Sequence, residues 1–123
     1  KGLVKELLKL LNNYNCQKNC IISSFDKQPL INLKESQMKV DSALLFWKPI
    51  FYIRKTKQNL GINSLHPHYR LSTKNFLKRA KKANLKVRVW TVDNEKRIKR
   101  LIKMGIDGLI TNNPLKAITY IED

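Results

Sequence analysis

Between Lys86 and Pro114 the chain runs through a cycle that few folds accommodate: a β-branched run, a helix cap, an amphipathic helix, a glycine stop and a second β-prone run. Lys86 to Val92 carries Val87, Val89, Thr91 and Val92, the strongest strand signal in the sequence. Asp93 or Asn94 caps a helix whose apolar face is Ile98, Leu101 and Ile102, and Gly105 stops it. Asp107 to Thr111 reads as another strand, and Pro114 opens a helix at a position that needs no N–H. The same cycle is written more faintly upstream. Leu3, Leu7, Leu10 and Leu11 have helical spacing, and Cys20 to Phe25 is β-prone. Asp26 caps a weak helix reaching Met38, and Ser42 to Phe46 is an apolar run. Trp47 to Gln58 is an ambiguous connector in which Pro49 is a candidate helix start. Gly61 to Leu65 reads as a strand, Leu71-Ser72-Thr73 offers a cap, and Phe76, Leu77, Ala80 and Ala83 share one helical face. About five strands alternating with helices mean a parallel sheet with right-handed crossovers. A doubly wound sheet and a barrel both satisfy this pattern.

A chain of 123 residues suffices for one compact domain with a core. Its 25 Lys and Arg against 9 Asp and Glu leave a net charge of +16, a balance suited to nucleic acid, an anionic membrane surface or a phosphorylated substrate. The lysines lie in nearly every segment, and only Lys78–Lys82 and Lys96–Arg100 are dense clusters, which read as solvated helix faces. Neither cluster has interleaved aromatics and no Gly-rich phosphate loop is present, so nucleic acid is not expected as a partner. Cys16 and Cys20, spaced C-x3-C, match no common zinc or thioredoxin-like pattern and read as unpaired thiols, one of them buried in a strand. No apolar run approaches the roughly 18 residues of a membrane helix. The best stretch, Ala43 to Ile53, is broken by Lys48 and Pro49. The opening Lys1-Gly2, inside a helical pattern, reads as a cut through a longer protein. The compartment is not legible.

Four ordered segments choose between the sheet architectures. Ile21-Ile22-Ser23-Ser24-Phe25-Asp26 resembles the "SSF" strand of the glycerophosphodiester phosphodiesterase family. Ser64-Leu65-His66-Pro67 followed by Leu71-Ser72-Thr73 resembles a later strand and helix start of that family. Val87 to Asp93 is similar to its "v-x-v-W-T-V-N" strand end, with Asp93 in place of the commoner asparagine. Met104 to Pro114 is similar to "GVDGIITDxP", with Asn112 where aspartate is usual. The resemblance implies an α/β fold: the C-terminal portion, about five βα units, of a TIM (β/α)8 barrel of the PLC-like phosphodiesterase type. Residues 1–123 would then be a C-terminal fragment of a single domain.

The implied reaction is hydrolysis of a glycerophosphodiester to glycerol 3-phosphate and an alcohol, within lipid and glycerol metabolism, assisted by a divalent metal, Ca or Mg. The family's acid–base histidines lie in "HRG" and "HD" motifs and its metal carboxylates in "ExD" and "EIK", all in the N-terminal part. None of these motifs occurs here, and neither His66 nor His68 precedes Arg-Gly or Asp. The resemblance therefore implies no catalytic residue and no metal ligand in this chain. It implies as partners the glycerophosphodiester substrate and the missing N-terminal part of the same barrel, whose residues would bind the metal. An excess of base here is what remains if the carboxylates lie there.

Strand alternation sends Val87, Val89 and Thr91 to one face and Arg88 and Trp90 to the other. The β-branched set suits the helix-covered face, which turns Arg88 and Trp90 inward. Trp90, near a strand's C-terminal end where barrel enzymes keep their sites, is the first substrate-binding candidate. Phe25 and Ser23 on the first strand and His66, in phase with Ser64, complete the set. Arg88, one layer deeper, needs a partner, and a carboxylate from the missing strands is the simplest one. The alternatives are a non-catalytic barrel-like binding domain and a basic α/β nucleic-acid-binding module.

Overall fold

The computed structural model describes residues 2–122. Helix α1 (Gly2–Tyr14) leads into a five-stranded parallel sheet, β1 (Ile21–Ser24), β2 (Asp41–Phe46), β3 (Ser64–Pro67), β4 (Lys86–Val89) and β5 (Gly108–Leu109). The spatial order β1-β2-β3-β4-β5 equals the chain order. Helices α2 (Lys27–Glu35), α3 (Ile53–Leu60), α4 (Lys74–Lys82) and α5 (Glu95–Lys103) make the crossovers, and α6 (Pro114–Glu122) follows β5. Neighbouring parallel strands in unbroken sequence order are what a barrel wall requires.

Side-chain alternation divides the sheet into two unlike faces. Leu44, Phe46, Leu65, Val87 and Val89 point outward and join Leu30, Ile53, Leu60, Phe76, Ala80, Ile98 and Leu101 from the helices in one buried core. The register pairs Ser23 with Ala43, Ala43 with Ser64, Ser64 with Lys86 and Arg88 with Gly108, so these residues share the opposite face. That face is concave. Phe25, just past β1, and Trp90, just past β4, have ring centroids 5.5 Å apart. Three strand spacings in a flat sheet would separate them by roughly 14 Å. Both edges of this arc, β1 and β5, are unpaired among the described residues.

Several boundaries differ from the sequence expectation, each for a local reason. Gly61 is not strand: it ends α3 in the left-handed region, φ 63°, leaving β3 to start at Ser64 and run through Pro67. Pro49 does not start α3, because Arg79 of α4 donates to the carbonyls of Ile50 (3.3 Å) and Phe51 (2.7 Å), holding that stretch outside the helix. Trp90 lies beyond β4 proper and pairs only as a bridge with His68. β5 shrinks to two residues, since the Asp107 carboxylate accepts from the Val87 N–H at 2.8 Å before regular pairing begins. Asn94, not Asp93, caps α5, accepting from the Arg97 N–H. Both cysteines are free and half-buried, and neither lies within a strand; the Cys16 thiol beside Cys20, and then burial, push the Cys20 thiol up.

Part of the basic excess is built into the fold. Lys57 donates to the Ala83 and Asn84 carbonyls at 2.8 and 3.3 Å, closing the C-terminal end of α4, and Lys34 does the same for Gln58 in α3 at 2.6 Å. Arg97 of the second cluster stacks on Tyr69 at 4.1 Å. The two clusters are thus not purely solvated faces. Among the described residues, no helix is long and apolar enough to cross a membrane.

The outward face carries the stability of this half-shell. Leu65→Ala, at a fully buried position, should cost about 2–5 kcal/mol, whereas Leu3→Ala, 77% exposed, should stay within about 0.5 kcal/mol. Denaturation midpoints of the two variants check this.

Candidate functional site

The concave face is built upward from its strands. Ser64 and His66 project from β3, and Arg88 from β4; Ser64 and His66 are buried and Arg88 half-buried. Arg88 lies flat across the face because its register partner is Gly108. A Cβ at Gly108 would meet the Arg88 Cγ at 3.0 Å and Cδ at 3.3 Å. The guanidinium Nη1 then donates to Ser64 Oγ at 2.7 Å and sits 3.3 Å from His66 Nε2. Arginine has no lone pair to offer, so Nε2 accepts and Nδ1 carries the ring proton. That Nδ1–H is buried with no hydrogen-bond partner.

One layer toward the strand C-termini, Trp90 donates its indole Nε1–H to the His66 carbonyl at 2.7 Å. This bond fixes the ring plane. Phe25 meets it edge-on at 5.5 Å and His68 at 5.0 Å. His68 in turn stacks near Tyr69 at 4.2 Å and accepts from the Arg70 N–H through Nδ1. Burial, then the charges of Arg70 and Arg97, hold its imidazole below the usual histidine range. Of the sequence candidates, Trp90, Phe25 and His66 are therefore brought together. Ser23 shares their face on β1 but is exposed and makes no side-chain hydrogen bond to them. Ser24 turns away, exchanging hydrogen bonds with the Asp26 backbone at 2.8 and 3.0 Å. His68 is a rim residue that was not among the sequence candidates; the His-Pro-His spacing at the end of β3 was its only signal.

Asp93, Thr111 and Asn112 tie the ends of β4 and β5 together. Asp93 accepts from the Thr111 hydroxyl at 2.7 Å, from the Asn112 N–H at 2.9 Å and from the Asn112 side-chain amide at 2.9 Å. These three donors, Thr111 foremost, hold its carboxyl below the ordinary carboxylate range. A cavity of about 820 Å³ lies elsewhere: Asp41, Asn63, Lys86 and Asp107 are among the residues lining it at the N-terminal ends of the strands, away from the aromatic cluster. Among the described residues no group of three or more His, Cys, Asp or Glu is placed to hold a metal ion.

Residues 1–116 match the model of the glycerophosphoryl diester phosphodiesterase family. The chain belongs to that family. It is 30% identical over 120 residues to a glycerophosphodiester phosphodiesterase of Caldanaerobacter subterraneus subsp. tengcongensis, covering 98% of this chain and 49% of the relative. The solved glycerophosphodiester phosphodiesterase of Parabacteroides distasonis superposes with a TM-score of 0.84 at 21% identity, over 97% of this chain and 50% of that one. A phosphodiesterase of Oleispira antarctica, solved with the product sn-glycerol-3-phosphate, gives 0.79 at 20% identity, over 84% of this chain and 42% of that one. The chain spans about half the length of the curated relatives it matches, and its five βα units match about half of each solved barrel. The divalent metal typical of the glycerophosphoryl diester phosphodiesterase family has no fitting donor set among the described residues.

The neutral His66 sets a pH response. Burial first, and the Arg88 charge second, push its imidazole from an ordinary 6.5 down to about 4. Between those values the unfolded chain takes up a proton that the folded one refuses, so the stability present above pH 6.5 is lost as pH falls toward 4. Melting temperatures should decline across that window, and His66→Gln should flatten the decline.

Proposed function

We propose that residues 1–123 are the C-terminal portion of one glycerophosphodiester phosphodiesterase domain, forming the wall against which the glycerol end of a glycerophosphodiester packs. The acid–base groups and the metal carboxylates then come from the N-terminal portion. The observation that carries this reading is the unfinished concave face. His66 Nδ1–H is buried without an acceptor, and Arg88 has no carboxylate partner among the described residues. Ile21 and Phe25, on the same face, are 42% and 57% exposed. Groups of this kind cost free energy when left alone, and strands completing the barrel would supply both acceptors and cover. The Oleispira antarctica structure, which holds sn-glycerol-3-phosphate, supports the substrate class.

In this reading the chain's own residues bind and orient. Trp90, its plane fixed by the His66 carbonyl and its edges braced by Phe25 and His68, offers an apolar surface to the carbon backbone of glycerol. Arg88 presents positive charge to the barrel interior one layer below, and Gly108 leaves it room to do so. His66, neutral near pH 7, positions Trp90 and accepts from Arg88 but does not shuttle protons there.

Complementation tests the proposal. The 123-residue chain alone should release no glycerol 3-phosphate with any divalent metal, and co-expression with the N-terminal portion should give a soluble, metal-dependent enzyme. In the full-length protein Trp90→Ala should lower kcat/KM by about one to two orders of magnitude, with metal affinity unchanged. A compact, cooperatively melting monomer that ignores the other portion would contradict the half-barrel reading, and an unchanged kcat/KM would return Trp90 to the core.

A further inference from the structure

The loop joining β2 to α3, Trp47 to Tyr52, leaves the sheet at the same end as Trp90 and Phe25. Within six residues it exposes three large aromatic side chains: Trp47 at 64%, Phe51 at 74% and Tyr52 at 75%. Such exposure is ordinary for a single residue but not for three in one short loop. The loop is also held rather than loose. Ile53 is buried, Ile50 packs on the core, and Arg79 grips the carbonyls of Ile50 and Phe51. The aromatic rings are thus presented outward from a braced backbone.

The charged side chains that line the cleft beside the loop are all cationic. Lys48 sits over the Trp47 ring at 5.1 Å. Phe51, Tyr52, Arg54, Lys55, Arg79 and Lys82 line a cleft of about 390 Å³ next to it. From Ser42 to Val92 the sequence contains twelve Lys and Arg and not one Asp or Glu. Arg54 and Lys55 occupy the first turn of α3, where the helix dipole favours anions and disfavours cations. This placement is locally unfavourable unless an external anion comes close.

Exposed Trp and Tyr beside Lys and Arg are the side chains that sit at the headgroup level of a bilayer. We propose that the Trp47–Tyr52 loop docks the protein on an anionic phospholipid surface, with the aromatic rings entering the headgroup region and the cations of α3 and α4 meeting lipid phosphates. The proposal goes beyond the substrate-wall reading, which gives no role to Trp47, Phe51, Tyr52, Arg54 or Lys55. Docking through this loop turns the strand C-termini toward the bilayer.

Vesicle co-sedimentation of the full-length protein tests it. Vesicles of equal parts phosphatidylcholine and phosphatidylserine should bind the protein about tenfold better than phosphatidylcholine alone, and the difference should collapse as salt rises. Phe51→Ser with Tyr52→Ser should lower binding about tenfold without moving the melting temperature. Tyr52 makes no side-chain cap bond whose loss would confuse the result. Arg54→Glu with Lys55→Glu provides a second, chemically independent loss. Trp47 emission should shift to the blue on anionic vesicles, and Trp47→Phe should abolish the shift. The proposal falls if the protein ignores anionic vesicles, if both double variants bind as well as the parent, or if inorganic phosphate alone displaces it. It falls equally if the aromatic variant changes only self-association, which would make the loop an interface between copies.

Discussion

A guanidinium on the inner face of a curved sheet must find acceptors or water, and Arg88 finds one hydroxyl and one imidazole. Three neighbouring features follow from that contact. Gly108 leaves the Arg88 stem its room, since a Cβ there would stand 3.0 Å from the Arg88 Cγ. His66 is neutral, with its acceptor nitrogen turned to Arg88 and its remaining N–H left without a partner. Trp90 is oriented by the carbonyl of that same His66. The polar layer beneath and the aromatic layer above are therefore one unit, in which a change at residue 108 would be felt at residue 90 through two intermediates.

The two faces of the sheet differ in completeness more than in composition. Outward, helices seal Leu44, Leu65, Val87 and Val89 into a finished core. Inward, a side chain is covered only where the arc's own curvature brings neighbours close. Ser64 and His66, in the middle strand, are buried, while Ile21 and Phe25, at the β1 edge, are exposed. Curvature thus ranks the inward residues by their distance from the edge, and the least covered ones face the direction from which further strands would come.

Much of this was legible in the sequence, because alternation is a strong signal when β-branched residues mark one face. Val87, Val89, Arg88 and Trp90 fell on the expected sides, and the helix faces at Phe76, Ala80, Ile98 and Leu101 were buried as their spacing required. What failed to show was set by contacts distant in sequence. Arg79 reaches back across nearly thirty residues to hold Ile50 and Phe51 out of a helix, and no local pattern near Pro49 announces this. Gly61 looked like the start of a strand because it precedes Ile62, yet its left-handed backbone makes it the end of a helix. The lysine clusters read as solvent-facing because net charge carries no direction. Within them Arg79 instead grips two backbone carbonyls and Arg97 stacks on Tyr69. At the site, His68 was undervalued because its contact with Trp90 depends on how the chain turns after Pro67.

Asp93 and Asn112 stand exchanged relative to the motifs they resemble, an exchange that leaves the pair's total charge unchanged. The route between the two arrangements is not symmetrical. One intermediate carries two amides, which can still donate and accept across the gap at the loss of one charge-assisted bond. The other carries two carboxylates at hydrogen-bonding distance, which repel unless one of them keeps a proton. Of the two single substitutions that lead away from the present pair, the one that makes two amides therefore costs less than the one that makes two carboxylates.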